Sequence, residues 1–317
     1  LLVWPFTRGT AITPRLAGEN AARNPRRTAA TAAALTIGVT LVTLIAVMAS
    51  SIRASVESTV NSTISADFVI NSSTFSIGTG IPTTAVVQAR EVPGVALASP
   101  VRFAPFRLID SYSQQQAAAN PAKEQQSLLG AGDAAPPGAD EFLLGIEPLS
   151  YFEINDVGTT AGSPKDLLPG TFAAELKEAE KRGWKLGDKV PVYFAKTGVQ
   201  ELELAMTFEQ NAGGGSYLLP LATFEANVLA LFNTDFVVYV KAEPGADLAQ
   251  VRKQLDAIVA DSPAISVQDL GEYADAQTAP FDTFLAVVYG LLGLAVIIAL
   301  IGIANTLSLS VLERTRE

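Results

Sequence analysis

The sequence contains no cysteine and no histidine among its 317 residues. The lack of cysteine excludes disulfide bridges and thiolate metal sites. The lack of histidine removes the most common general base and the most common metal ligand. No Gly-rich phosphate loop followed by Lys and Ser or Thr occurs either. We therefore predict that this chain is not an enzyme and holds no catalytic, cofactor-binding or metal site of its own.

Charged residues are also scarce, and they are unevenly placed. Only 17% of the residues are charged, 49% are apolar, and the net charge is −10. Residues 1–51 carry five Arg and one Glu, whereas residues 52–280 carry 15 Lys or Arg and 28 Asp or Glu. An acidic middle behind a basic flank argues against a nucleic-acid-binding protein. This distribution is typical of a protein that sits across a membrane.

Two long stretches, residues 28–52 and 284–312, lack charge altogether and predict transmembrane helices at residues 28–52 and 281–312. A helix needs about 20 apolar residues to cross the hydrocarbon core, and one central Arg or Lys costs about 2.5–3.5 kcal/mol. Two buried core helices of a soluble protein are the alternative. The second stretch is longer than the hydrocarbon core, so we expect a tilt or a projecting stalk. Pro280 suits either the start of that helix or the joint to the domain before it.

The basic residues predict the orientation of the two helices. Arg residues immediately precede the first helix and follow the second, so the positive-inside rule places both ends in the cytoplasm. Residues 53–280 then form an extracytoplasmic domain, and the protein is predicted to be a multi-pass protein of the plasma membrane. The residues before the first helix are interpreted as the end of a preceding transmembrane helix (1–8) and a basic cytoplasmic linker (9–27).

Both predicted helices carry small residues spaced four apart, a pattern that lets helix backbones approach closely in lipid. A general enrichment in Ala is the alternative explanation. The predicted packing positions are Ala30, Ala34 and Gly38 in the first helix and Gly302, Thr306 and Ser310 in the second.

The extracytoplasmic domain is predicted to have an α+β fold, because alternating and helical apolar patterns succeed one another along it. Strands are predicted at residues 67–71, 96–110 (with interruptions at Pro100 and Pro105), 141–146, 189–195, 201–208, 216–219, 236–241 and 264–268. Helices are predicted at residues 83–91, 171–182, 222–230 and 247–260, the last with Asp247 as its cap.

These elements group into two predicted subdomains. The β-α-β pattern of residues 236–268 and the α-β piece that begins at residue 83 are far apart in sequence but similar, which indicates one α+β subdomain built from both ends of the domain. Residues 141–220 form a second, mainly β subdomain. The Gln-, Ala-, Pro- and Gly-rich residues 113–141 and the Gly-rich residues 209–216 are predicted to be flexible loops.

The ends of the sequence resemble a known family. GIANTLSLSVLERTRE (residues 302–317) is similar to the end of the second membrane helix in FtsX-like/MacB-type ABC transporter permeases, and ENAARNPRRTAATAAALTIGVTLVT (residues 19–43) is similar to the approach to their first helix. WKLGDKVPVYF (residues 184–194) resembles a strand entry in their outer domain, called the MacB-like periplasmic core domain. The resemblance is specific at both ends and diffuse over residues 95–235.

The resemblance implies a function and a set of partners. Such permeases have no substrate channel through the bilayer; a partner ABC ATPase binds ATP and drives movement of the outer domain, which exports or extracts a lipophilic or peptide substrate. The resemblance also implies contact with membrane lipid and a homodimer or a pseudo-dimer of two permease repeats. Because the sequence does not begin with Met, we expect a fragment, the second repeat of a longer bacterial permease.

The resemblance further implies roles for the last residues. Asn305 and Thr306 would face protein rather than lipid. Residues 313–317 would begin the cytoplasmic coupling segment, with Glu313, Arg314, Arg316 and Glu317 as candidates for coupling to the ATPase. A simple anchor of charged residues at a helix end is the alternative for these four.

Two other functions remain open on the sequence. One is a transmembrane regulator of a cell-wall hydrolase, although the outer domains of such regulators are usually smaller. The other is a sensory receptor, which also has two membrane helices around an outer domain and would continue into a signalling helix bundle.

Overall fold

The computed structural model describes residues 25–72, 80–109, 141–209 and 215–314. Within them, Val56–Asp275 forms one compact unit, and the helical segments that end at Ser55 and begin at Ala276 form another. The predicted preceding helix, the basic linker up to residue 24 and most of both predicted loops lie outside the described residues.

The described chain contains seven α-helices, ten strands and two 3-10 turns. The helices are α1 (Pro25–Thr63), α2 (Thr83–Glu91), α3 (Pro148–Ile154), α4 (Leu176–Arg182), α5 (Leu221–Asn227), α6 (Leu248–Val259) and α7 (Leu270–Arg314), and the 3-10 turns are Pro164–Asp166 and Ala230–Phe232. The strands are β1 (Phe68–Ser72), β2 (Val95–Leu108), β3 (Glu141–Ile146), β4 (Thr159–Ala161), β5 (Thr171–Glu175), β6 (Lys189–Phe194), β7 (Gly198–Phe208), β8 (Tyr217–Pro220), β9 (Asp235–Ala242) and β10 (Ile265–Asp269).

The first half of the outer unit is a four-stranded antiparallel sheet covered by α2 and α6. The strands run in the order β10-β1-β9-β2, and the two helices bury apolar side chains with them in one cluster. This order, with one helix between β1 and β2 and one between β9 and β10, is the split β-α-β arrangement of ferredoxin-like domains. The prediction of an α+β subdomain assembled from both ends of the domain is confirmed.

The second half is a ring of six strands. β2 pairs with β3, β3 with β8, β8 with β5, β5 with β7, β7 with β6, and β6 returns to β2. All six strands contribute side chains to one apolar cluster, which α4 and α5 also join. Gly145 on β3 lets α5 approach closely, because a Cβ there would come within 2.5 Å of the ring of Phe224. A closed ring leaves few unpaired strand edges.

One strand belongs to both halves. The 14-residue β2 pairs with β9 through its first part, up to Arg102, and with β3 and β6 through its second part. It continues through Pro100 and Pro105 without a break, so the predicted interruptions do not occur. The two predicted subdomains are therefore parts of one ten-stranded sheet.

The prediction of a helix over residues 171–182 is wrong in its first part. Thr171–Glu175 forms β5, paired on both sides with β7 and β8, and only Leu176–Arg182 is helical. Phe172 and Ala174 point into the cluster of the ring while Ala173 points to the other side. Pairing on both edges and burial on both faces outweigh the high helix propensity of Ala and Glu, because such propensities differ by less than about 1 kcal/mol per residue.

Two other helix predictions need correction. The helix predicted at residues 222–230 runs from Leu221 to Asn227 and is followed by a separate 3-10 turn. Pro280 does not start a helix, because α7 begins ten residues earlier, at Leu270. The structure also contains α3 and β4, which were not predicted.

Candidate coupling site at the long helices

The helical unit exposes a large apolar surface. On α1 the side chains of Ile37, Leu44 and Val47 are 58–68% exposed, and on α7 Leu291 and Ile301 are each 63% exposed. Soluble proteins rarely expose contiguous apolar surface of this extent. Among the described residues, one helical segment, Thr36–Thr63, is long and apolar enough to span a bilayer, and Phe281–Leu294 is a shorter apolar stretch.

Within this unit α1 and α7 lie against each other in antiparallel directions. A Cβ placed on Gly38 would lie 3.5 Å from Leu292 Cδ1, which is ordinary packing distance. Further along α1, Arg53 Nη1 lies 3.3 Å from Asp282 Oδ2. These two residues are the charges that end the uncharged stretches on the outer side. The predicted packing position Gly38 thus faces α7 of the same chain.

The outer end of α1 is built into the core of the outer unit. Val60 and Ile64 are 4% and 3% exposed and share an apolar cluster with α3. Ile64 forms an isolated antiparallel bridge with Asn155. On either side of it, Ser65 N donates to Ile154 O at 2.7 Å and Asp156 N donates to Thr63 O at 2.8 Å. The end of α1 is therefore fixed to the end of α3 by the backbone as well as by apolar burial.

The beginning of α7 is fixed by a capping box. Glu272 N donates to Asp269 Oδ1 at 2.8 Å, and Asp269 N donates to Glu272 Oε2 at 3.0 Å. This reciprocal pattern satisfies two backbone donors at the helix start. The Glu272 carboxylate also accepts from Arg252 Nη2 on α6, at 2.7 Å. One turn into α7, Tyr273 and Ala274 are buried in the same apolar cluster as Val60.

Three tyrosines from different elements meet in that cluster: Tyr151 of α3, Tyr239 of β9 and Tyr273 of α7. Burial raises the pKa of the Tyr239 hydroxyl well above its usual value, and the neighbouring hydroxyls of Tyr273 and Tyr151 raise it further. Tyr239 is therefore neutral at physiological pH and acts as a packed side chain rather than as an acid or base.

A polar network joins the two halves of the outer unit. Arg102 of β2 donates to Asp235 Oδ1 of β9 at 2.8 Å and to Glu225 Oε1 of α5 at 2.6 Å. The Asp235 side chain is fully buried and that of Glu225 is half exposed. Burial raises the pKa of Asp235 although Arg102 lowers it, while the two carboxylates raise the pKa of Arg102 against the effect of its burial.

The α3 helix is linked to the same region through its first turn. Glu147 Oε2 accepts from Arg90 Nη2 of α2 at 2.5 Å, and Ser150 Oγ donates to Ser99 Oγ of β2 at 3.1 Å. Arg90 also donates twice to Ala98 O of β2, at 2.8 and 3.0 Å. The short α3 thus touches the end of α1 with one terminus and the shared strand β2 with the other.

The remaining predicted site residues lie in or beyond the long helices. Ala30 and Ala34 lie in α1, whereas Gly302, Asn305, Thr306, Ser310, Glu313 and Arg314 lie in α7. Arg316 and Glu317 lie outside the described residues. The roles in helix packing and ATPase coupling stay predictions for all of these. In the part of the chain that the structure describes, no group of three or more His, Cys, Asp or Glu is placed to hold a metal ion.

The sequence analysis did not predict the residues that fix the end of α1 and the start of α7, although two of these places have recognisable sequence patterns. Asp269-Leu270-Gly271-Glu272 has the spacing of a capping box, and Pro148 occupies the first turn of α3, where Pro is favoured. The contacts between α1 and α3 left no pattern, because they join residues about 90 positions apart.

Comparison with known proteins shows the family of the chain. The model of the family described as MacB-like periplasmic core domain matches residues 28–258. Among solved structures, the periplasmic region of MacB from Actinobacillus actinomycetemcomitans is 10% identical, with a TM-score of 0.46 over 66% of this chain and 91% of that chain. The extracellular domain of the noncanonic ABC-type transporter YknZ from Gram-positive bacteria is 14% identical, with a TM-score of 0.42 over 64% of this chain and 99% of that chain. A comparison with curated proteins gives no significant match.

The family match implies a membrane protein with an extracytoplasmic domain. Since the family model covers more than half of the 317 residues, the chain belongs to the family of MacB-like periplasmic core domains, which are parts of ABC transporter permeases. A permease component of this kind is not itself an enzyme.

Proposed function

We propose that this chain couples ATP hydrolysis by a partner ABC ATPase to movement of its extracytoplasmic domain. The observation that carries the proposal is the extent of the family match, which begins at residue 28 in α1 and continues to residue 258 in the outer unit. In the proposal both α1 and α7 cross the membrane, and the substrate is a lipophilic molecule or a peptide that is exported or extracted outside the bilayer.

The anchoring of both helices supports this function. A helix is stiff along its axis because each turn is hydrogen-bonded to the next. The outer end of α1 is fixed to α3 by two backbone hydrogen bonds, and the start of α7 is fixed by the Asp269–Glu272 capping box and by Arg252. A shift of either helix along its axis is therefore expected to move the core of the outer unit rather than slip past it.

The cytoplasmic coupling segment is the place to test the proposal. We expect the charge reversals Glu313→Lys and Arg314→Glu in the full-length permease to reduce co-purification of its ABC ATPase, and to reduce the ATP hydrolysis of the reconstituted complex at least threefold. The matched control is Glu209→Lys, which reverses one charge in the outer unit. It should change neither the co-purification of the ATPase nor its ATP hydrolysis. Normal association and hydrolysis in both reversals would remove these residues from the coupling role.

The full-length sequence separates the proposal from its alternatives. A permease continues after residue 317 into a short amphipathic segment and two further membrane spans, whereas a sensory receptor continues into a signalling helix bundle. A regulator of a cell-wall hydrolase is distinguished by stimulated hydrolase activity when the purified outer domain is added to the hydrolase.

A further inference from the structure

The helix α3 has seven residues and connects the end of α1 with the shared strand β2. Its C-terminal end receives the end of α1 through the Ile64–Asn155 bridge and the two flanking backbone hydrogen bonds. Two buried residues of α3, Tyr151 and Ile154, pack in the same apolar cluster as Val60 and Ile64 at the end of α1. Movement of the end of α1 without movement of α3 would break all of these contacts together.

The other end of α3 contacts the place where the two halves of the outer unit meet. Glu147 receives a hydrogen bond from Arg90 of α2, and Ser150 bonds Ser99 of β2. Three residues beyond Ser99, Arg102 holds Asp235 of the first half and Glu225 of α5, which packs on the six-stranded ring. The Ser150–Ser99 bond is buried, so its loss would deprive the fully buried Ser99 hydroxyl of this hydrogen-bond partner.

We infer that α3 is the positioning element that links the outer end of α1 to the junction between the two halves of the outer unit. Displacement of α1 pushes or turns α3, and Glu147 and Ser150 carry this displacement to β2, where Arg102 ties the halves together. The use of this link during transport rests on the proposed function. The energetic link itself does not, because it is a property of the resting chain.

The link is tested in the full-length permease in nanodiscs, by hydrogen–deuterium exchange. Val60→Ala creates a small cavity beneath the outer end of α1, where Val60 is 4% exposed. We expect faster exchange in residues 148–155 and in residues 98–102 of β2, with a change in the local opening constant of about 2- to 30-fold for coupling of ordinary size. The matched control is Val190→Ala, the same substitution at the same 4% exposure on β6; it should leave residues 98–102 unchanged.

A second background tests whether α3 carries the effect. In Glu147→Gln/Ser150→Ala, we expect Val60→Ala still to accelerate exchange in residues 148–155 but no longer in residues 98–102. Acceleration of residues 98–102 by the same factor in both backgrounds, or in neither, overturns the inference. If Val60→Ala fails to fold, Ile64→Val makes a smaller cavity at the same junction and serves in its place.

A final comparison separates this inference from the proposed function. The complex with its ABC ATPase is trapped with ATP and vanadate, and exchange is followed in the same two segments. A change in both segments on trapping supports the use of the link in transport. The other outcome is that residues 148–155 and 98–102 are coupled in the resting chain but their exchange does not change on trapping. This outcome supports the link through α3 and overturns the proposed function.

Discussion

At the scale of single residues, the pair Arg102–Asp235 is the most constrained part of the outer unit. The Asp235 carboxylate is fully buried, and burial of a charge is tolerated only when a partner and further hydrogen bonds compensate for the lost water. Arg102 supplies that partner and at the same time reaches Glu225 on the other half. Removal of Arg102 would leave Asp235 as a buried charge without its cation.

We expect Arg102→Met to cost about 3–5 kcal/mol of unfolding free energy at neutral pH. The pKa of Asp235, already raised by burial, should rise further when the cation is lost. A carboxyl group with a raised folded-state pKa favours the folded state below its unfolded-state pKa, and this contribution is lost as the pH rises through the folded-state pKa. The deficit of the variant should therefore grow with pH, measured as thermal-unfolding shifts between about pH 4.5 and about pH 8.

The double variant Arg102→Met/Asp235→Asn provides the control. Without an ionisable group at position 235, the growth of the deficit with pH should disappear even though the stability stays below that of the unchanged chain. A deficit of the same size at every pH in the single variant would show that Asp235 is stabilised by other groups, of which Arg90 is one candidate because it lowers the pKa of Asp235.

At the scale of secondary-structure elements, the sequence predicted those whose pattern is local. Residues 83–91 and 141–146 form the predicted helix and strand with the predicted bounds, and the cap of α6 is confirmed because Asp247 accepts hydrogen bonds from Ala249 N and Gln250 N. The strand β5 was missed because its state depends on pairing with distant strands. The early start of α7 was missed because the apolar run alone defined that helix.

We expect Asp269→Ala to weaken the start of α7 by about 1 kcal/mol, the usual cost of losing a cap. The loss should appear as faster hydrogen–deuterium exchange in residues 270–275. Asp247→Ala is the matched control, because it removes the cap of α6 and should accelerate exchange only at residues 248–252. Equal exchange of residues 270–275 in the two variants would show that Arg252 and Tyr273 hold the start of α7 without the capping box.

At the scale of the whole molecule, the sequence predicted the division into apolar helices and an acidic α+β domain, since charge and apolar periodicity report burial and solvent directly. It did not predict that the two halves of that domain share β2. The sequence of the predicted strand at residues 96–110 does not indicate which strands pair with it. The contacts that make up the candidate site, such as Ile64–Asn155 and Arg53–Asp282, join distant positions and likewise could not be predicted.

The membrane topology can be tested with single cysteines, because the chain contains none of its own. We expect Lys196→Cys, on the surface of the outer unit, and Gln115→Cys to react with a membrane-impermeant maleimide in intact cells. Arg15→Cys, in the predicted cytoplasmic linker, should react only after the cells are broken open. Reaction of positions 115 and 196 only in broken cells would place the outer domain on the cytoplasmic side and contradict the topology.

The shared strand β2 has a consequence for the construction of chimeric permeases. The six-stranded ring is inserted between the second and third strands of the ferredoxin-like half, and its first strand is the continuation of β2 itself. A graft that exchanges rings between two relatives must therefore splice inside a hydrogen-bonded strand on one side and in the short turn before β9 on the other. The splice at β2 has to preserve strand register, since a shift by one residue would turn Arg102 away from Asp235 and Glu225.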